Sequence, residues 1–337
     1  METLLFAINA VFPILLLILL GYYLKRIKFL TDDFLKIGNK FVFRVGLPFL
    51  LFYNIYNIDS LKNINWSVVI YSELIVIFAF LIGIILVKLT IKEEKQKGVI
   101  LQCVVRSNYA IIGIPLAESL GGAEAIGIAS LLSAFLIPTF NILGVLALSM
   151  YKTENNGKLD IKKTLLNIAK NPLIIGVLIG VLALVIRLLI PVDSTGQLVF
   201  SLKDDIKFLY KAIENIGKIA SPLALIVLGG TFNFNAIKGM LKQIIIGTTS
   251  RIVFVPLLGI GLAVILSKYT NIISFDKSIY PALIALLGSP VAVSSAIMAR
   301  EMDNDGELAG QLVVWTSVFS IITIFITIVI LKSINLL

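Results

Sequence analysis

Stretches of about 20 apolar residues recur from one end of this chain to the other, and no other feature limits its folding as much. Each is long enough to cross roughly 30 Å of hydrocarbon. Lipid offers no partner to an open backbone, so each stretch is expected to be a sustained helix. Of the 337 residues 58% are hydrophobic and only 15% are charged, where a soluble domain carries about a quarter charged residues. The prediction is an all-α integral membrane protein with many spans and no soluble domain.

Hydropathy places about ten transmembrane helices. The first half holds Leu4–Leu24, Phe34–Tyr56, Trp66–Leu89, Gly98–Leu120 and Ala123–Met150. The second holds Pro172–Ile190, Phe208–Gly230, Met240–Leu266, Ser278–Ala299 and Leu308–Leu331. Residues 1–150 and 172–337 thus form two five-helix units, joined by a polar linker over 151–171 that carries Asn155-Asn156-Gly157. The first apolar run follows Glu2 without a basic segment and reads as a retained helix, not a cleaved signal.

Lysine and arginine set the orientation. With the N-terminus outside, the inward connections carry roughly twice the basic residues of the outward ones, among them Lys25, Arg26, Lys92, Lys95, Lys97, Lys162, Lys163 and Arg300. Both termini are therefore expected outside, in a multi-pass protein of the cell membrane. An odd number of helices per unit then inserts the second unit upside down.

Histidine is absent and Cys103 is the only cysteine. Histidine-based triads, zinc-protease motifs, disulfides and thiolate metal clusters are thereby excluded, and no cofactor or metal is expected. The net charge of +9 does not point to nucleic acid, because the basic residues lie between apolar segments. Anionic lipid headgroups are the simpler partner.

A pentapeptide occurs twice inside apolar segments. Gly113-Ile114-Pro115-Leu116-Ala117 and Gly288-Ser289-Pro290-Val291-Ala292 both read Gly-x-Pro-aliphatic-Ala. A second proline pair, Pro48 and Pro222, precedes them at nearly equal distances. Proline removes a backbone donor and opens a helix. One such site alone reads as a kink whose freed carbonyl is bridged by water. Matched interruptions in two halves instead point to a transporter's binding site near the midplane.

Around the first interruption, Arg106 and Asn108 stand about two to two and a half turns before Pro115. New helix N-termini carry partial positive charge and suit a carboxylate; Arg106 can fork onto one, and Asn108 can donate and accept. Around the second, Ser294 and Ser295 follow Pro290, with hydroxyls for a solute or for neighbouring helices. The expected binding set is Arg106, Asn108, Gly113, Ile114, Pro115, Gly288, Ser289, Pro290 and Ser294. Pro48 and Pro222, after Gly46 and Ser221, read as supporting small-residue packing.

Arg44, Glu73, Arg106, Glu118, Glu214 and Arg251 lie within or near apolar segments, where an ionisable group costs at least about 2.5 kcal/mol. Glu73 and Glu118 are the first places to seek proton coupling. A structural ion pair between Glu73 and Arg251 is the competing reading. Glu214 belongs at a helix end, and Arg44 can snorkel.

These residues resemble the auxin efflux carrier family, whose microbial members include malate and malonate permeases, over nearly the whole chain. Arg106-Ser107-Asn108 followed by Gly113-Ile114-Pro115-Leu116 is similar to its fourth-helix motif. Ala299-Arg300-Glu301 is similar to its basic-acidic pair, and Ser221-Pro222-Leu223-Ala224-Leu225 to Gly229 to its seventh helix. The resemblance implies two inverted five-helix repeats related to the bile-acid symporter and sodium-proton antiporter folds. It implies broken helices 4 and 9 crossing at Pro115 and Pro290, and an organic anion bound beside Asn108. It also implies elevator-like movement and a homodimer formed through the scaffold. The plant carriers' long cytoplasmic loop is reduced here to the 151–171 linker, and Arg106 is closer to the microbial members, which argues against auxin as substrate.

The expected function is secondary active transport of a small organic anion, a carboxylate such as malate or malonate, with proton or sodium as the co-transported ion left open. The alternatives are a cation/proton antiporter on a related scaffold and a non-transporting membrane sensor. Neither break has an aspartate within a turn, and Glu118 is the only nearby acid, which weighs against the antiporter. No appended signalling domain supports the sensor. An enzyme is the least supported reading, with no catalytic residue to name.

Overall fold

The structure is a computed structural model that describes residues 2–57, 65–151, 166, 169–192, 198–233, 235, 237–268, 270 and 273–337. Most of the predicted 151–171 linker lies outside the described residues. Among the described residues every regular element is a helix. They are α1 (Glu2–Arg26), α2 (Asp32–Phe41), α3 (Leu47–Tyr56), α4 (Trp66–Thr90), α5 (Glu94–Val105), α6 (Ile114–Met150) and α7 (Pro172–Leu189). There follow α8 (Lys207–Gly230), α9 (Ile237–Thr249), α10 (Val255–Lys268), α11 (Ile279–Gly288), α12 (Ser294–Glu301) and α13 (Gly306–Ser333). Among the described residues six helical runs are long and apolar enough to cross a membrane: 66–90, 109–150, 172–189, 207–230, 237–268 and 306–333.

Side-chain caps set several starts, because the first N–H groups of a helix have no partner within it. Thr31 Oγ1 accepts from Phe34 N at 3.1 Å, Asn171 Oδ1 from Leu173 N at 2.9 Å, and Asp305 Oδ1 from Leu308 N at 2.9 Å. Three five-residue π turns, Val42–Gly46, Tyr109–Gly113 and Ser250–Phe254, each stand one residue ahead of a proline: Pro48, Pro115 and Pro256. Proline cannot donate, and its ring presses on the carbonyl one turn back; a wider turn at that place relieves the clash without ending the helix. Pro222, the expected counterpart of Pro48, sits inside α8 without such a turn. Within α6 the chain bends at Gly122, whose φ of 63° and ψ of −149° favour glycine. The predicted boundary between Leu120 and Ala123 falls at that bend.

The helices pack in two groups. In one, α1 lies along α8, and α3 lies against α7 and α8. A Cβ on Gly21 would collide with the Ile226 carbonyl, and one on Gly229 with the Ile18 carbonyl, so α1 and α8 touch backbone to backbone. In the other group α5 packs between α4 and α6, α11 packs against α6 and α10, and α13 packs against α9 and α12. All ten residues of α11 are buried. A helix that is apolar all round belongs inside protein, and α11 is the centre of the core.

Candidate functional site

Two interrupted helices cross at the middle of the second group. The first is α5 and the start of α6, which part at Arg106-Ser107-Asn108; the second is α11 and α12, which part over Ser289–Val293. The interruptions pair with each other. Ser107 and Val291 form an isolated antiparallel bridge, Asn108 N donates to Pro290 O at 2.8 Å, and Ala292 N donates to Arg106 O at 3.1 Å. Val291 N donates to Thr316 Oγ1 of α13 at 3.2 Å. Buried unwound backbone costs free energy unless its polar groups find partners, and here each strand of the crossing supplies them to the other.

This geometry corrects the expected position of the first interruption. Gly113, Ile114 and Pro115 do not form it: the helix opens at 106–108 and the π turn carries it through to Pro115. Gly113 is buried where an added Cβ would stand 2.9 Å from the Ala285 carbonyl, so it admits α11 rather than a solute. Ile114 lines a different, larger cavity, and Pro115 is exposed. In the second break Gly288 packs near Ile324, and Ser289 Oγ turns back to the Ala285 carbonyl at 2.6 Å. Pro290 contributes its carbonyl to Asn108. These three build the crossing and do not line the cavity beside it.

Of the predicted set, Arg106, Asn108 and Ser294 do line that cavity, which measures about 80 Å³. Arg106 is 4% exposed. Its Nη2 donates to Asn141 Oδ1 and to Ser294 Oγ, both at 2.9 Å, and its Nη1 approaches Met298 Sδ at 2.6 Å. No carboxylate among the described residues pairs with it, and two of its five N–H groups find no acceptor there. Asn108 Nδ2 and Ser107 Oγ are also buried without a partner among the described residues. The first residues after each break, Tyr109 to Ile111 and Ser294, start half-helices whose leading N–H groups have no acceptor within them. Donors and partial positive charge therefore converge on a space without an acidic side chain.

Sequence reasoning missed Asn141, Asn54 and Ser107 as cavity residues and gave Ser221 only a packing role. Asn141 was detectable in principle as a lone amide inside the apolar run of α6; its Nδ2 donates to Ile137 O at 2.7 Å, which fixes Oδ1 toward Arg106. Asn54, Ala110 and Ile137 are shared with a second cavity of about 670 Å³, further lined by Asn57, Asn65, Glu124 and Ser130.

The remaining charges fall elsewhere. Glu73 accepts from Thr139 Oγ1 at 3.1 Å and makes no ion pair with Arg251, so the competing structural reading of these two charges does not hold. Glu118 is exposed and borders neither cavity. Glu214 is held by Lys211 at 2.7 Å and Lys218 at 2.5 Å near the start of α8. Arg251, 1% exposed, spends all five N–H groups on carbonyls: Nε on Ser289, Nη1 on Val104 and Val105, and Nη2 on Leu286 and Leu287, at 3.0–3.4 Å. Those carbonyls end α5 and α11.

Apolar helices long enough to span a membrane, with two interrupted helices crossed beside a small cavity that holds a few polar groups, are the arrangement expected of a membrane transport protein. The family model for membrane transport proteins matches residues 6–328, and the chain belongs to that family, the auxin efflux carrier family. It is 26% identical over 322 residues to an uncharacterised transporter of Methanocaldococcus jannaschii, covering 94% of this chain and 96% of the relative. It is 22% identical over 319 residues to an uncharacterised transporter of Methanothermobacter thermautotrophicus, covering 94% and 95%.

Proposed function

We propose that the protein is a secondary carrier that moves a small organic anion across the cell membrane by alternating access. The observation that carries this reading is Arg106: a buried cation with spare donors and, among the described residues, no acidic partner, beside Asn108 Nδ2, which also finds no partner among them, in a cavity at the crossing. A charge in that position is costly unless a counter-ion arrives, and a visiting carboxylate is such a counter-ion. The 80 Å³ space suits the charged head of a carboxylate of the malate or malonate kind, with the remainder directed past Ile137 toward the larger cavity. Arg106 would fork onto the carboxylate, Asn108 and Ser294 would complete its hydrogen bonds, and the half-helix N-termini would add their dipoles.

The full architecture in this reading is ten spanning helices in two inverted five-helix repeats, with both termini outside. Reciprocal packing supports it: the first helix of one unit lies on the second of the other (α1 on α8), and the second of one lies on the first of the other (α3 on α7). Elevator movement of the crossing group against the α1, α3, α7 and α8 group, and a homodimer through the latter, complete the proposal. The absence of any Asp or Glu from the lining of the crossing cavity favours an anion over a cation/proton antiporter. Uptake of labelled malate and malonate into proteoliposomes is the test. Wild type should transport, while Arg106→Ala should lose nearly all of the flux and Asn108→Ala should lower it about tenfold; full flux in both variants would remove these residues from the mechanism.

A further inference from the structure

A carrier built on crossed half-helices commonly holds its coupling cation on unwound carbonyls and half-helix C-terminal ends. In this protein those ends already hold a cation that cannot leave. The guanidinium of Arg251 reaches in from the π turn between α9 and α10 and lines neither the crossing cavity nor the larger one beside it. It bonds Val104 and Val105 at the end of α5 and Leu286, Leu287 and Ser289 at the end of α11. Each helix C-terminus carries roughly half a negative charge, so two of them nearly match one guanidinium. Five carbonyls also match its five donors, leaving neither an oxygen cage nor a net charge for a second cation. Among the described residues no group of His, Cys, Asp or Glu offers a metal site elsewhere.

We propose that Arg251 is a tethered substitute for the coupling cation, so that the crossing is complete without bound sodium or another metal ion. The sodium implied by the fold resemblance does not fit these residues. Removing the side chain should uncover a carbonyl cage that small cations can fill. The proposal rests on the carrier reading only for its consequence in transport, namely that flux does not follow a sodium gradient.

The test is thermal melting of the purified protein in sodium chloride, choline chloride and methylguanidinium chloride at equal ionic strength, with no substrate present. Wild type should melt at the same temperature in all three. Arg251→Ala should melt several degrees lower in choline and recover saturably in methylguanidinium or sodium. Leu132→Ala, a core truncation on α6 away from the carbonyl ends, should be destabilised without such recovery. Arg251→Lys, which keeps the charge but has fewer donors, should fold with an intermediate melting point in all three salts. It serves as the second variant if Arg251→Ala does not accumulate. A saturable sodium-dependent rise in wild type overturns the proposal. So does an Arg251→Ala protein that no small cation restores, or an Arg251→Lys protein stabilised by sodium. Since melting is read without solute, a protein that moved no organic anion would give the same shifts, and failure of the carrier reading stays separate.

Discussion

Arg106 and Arg251 are both buried guanidinium groups at one helix crossing, yet their surroundings are opposite. Arg251 lies on the side where half-helices end and meets only carbonyl oxygens, one for each donor. Arg106 lies on the side where half-helices begin and meets an amide oxygen, a hydroxyl and a thioether, with two donors left over and a cavity in front. The polarity of the backbone sorts them: negative helix ends are neutralised by a permanent cation, while positive helix starts are left facing one more positive charge. A protein that only needed to be stable would not leave Arg106 in that state. The contrast teaches that one face of the crossing is closed on itself while the other keeps donors to spare, which is where the proposed carrier reading puts its solute.

The sharpest way to break this contrast is to delete each arginine and read stability and flux separately. Arg251→Ala orphans five buried carbonyls and should cost about 3 kcal/mol or more in chemical or thermal unfolding. Arg106→Met keeps volume, removes an uncompensated buried charge and is expected to leave the melting temperature unchanged or higher, because replacing a poorly paired buried ion by an apolar side chain is often neutral or stabilising. The same substitution should reduce anion flux by about a hundredfold, or about 2.7 kcal/mol. If Arg106→Met unfolds the protein as readily as Arg251→Ala does, the two faces are not different in kind.

Asn108 sharpens the comparison at the next level. Its backbone belongs to the crossing through the bond to Pro290 O, but its Nδ2 is unpartnered. Asn108→Ala should therefore lower flux about tenfold, or about 1.4 kcal/mol, with little change in melting. Asn108→Asp would supply Arg106 with a fixed counter-ion and should abolish anion flux while leaving the fold intact. A vesicle uptake series across both variants checks the pair.

Apolar length made the helices legible in the sequence, since burial in lipid dictates both composition and run length. The break in the second half was legible too, because Pro290 stands in the unwound stretch itself. The break in the first half was misplaced because proline marks a place where the helix must adjust, not where it must open. At Pro115 the adjustment is a π turn, while the opening at Arg106-Ser107-Asn108 is imposed by pairing with residues 290–292 far away in the chain. The role of Arg251 left no sequence trace for a related reason: its partners are carbonyls, which every residue has. Arg106 and Asn108 could be found because their side chains are out of place in an apolar run. Asn141, equally out of place, lies far from either pentapeptide, and only the fold shows that it meets Arg106.

Gly144 offers the finest adjustment of the anion face. It sits on α6 below the guanidinium, and a Cβ there would come 3.3 Å from Arg106 Nη1 and 3.2 Å from Gln102 Nε2. Both neighbours are ends of long side chains, so each can yield by a few tenths of an ångström rather than force the helices apart. Gly144→Ala also gains roughly 0.5–1 kcal/mol of helix propensity, which offsets the crowding in the stability balance. The expected outcome is an unchanged melting temperature with apparent anion affinity weakened about threefold, or about 0.6 kcal/mol, as the guanidinium is displaced from its Asn141 and Ser294 partners. Concentration dependence of uptake separates this from a loss of turnover: a shift in half-saturation at constant maximal rate locates the effect at the binding cation. A lowered maximal rate with constant half-saturation would instead mean that α6 moves during transport and that Gly144 matters for that motion.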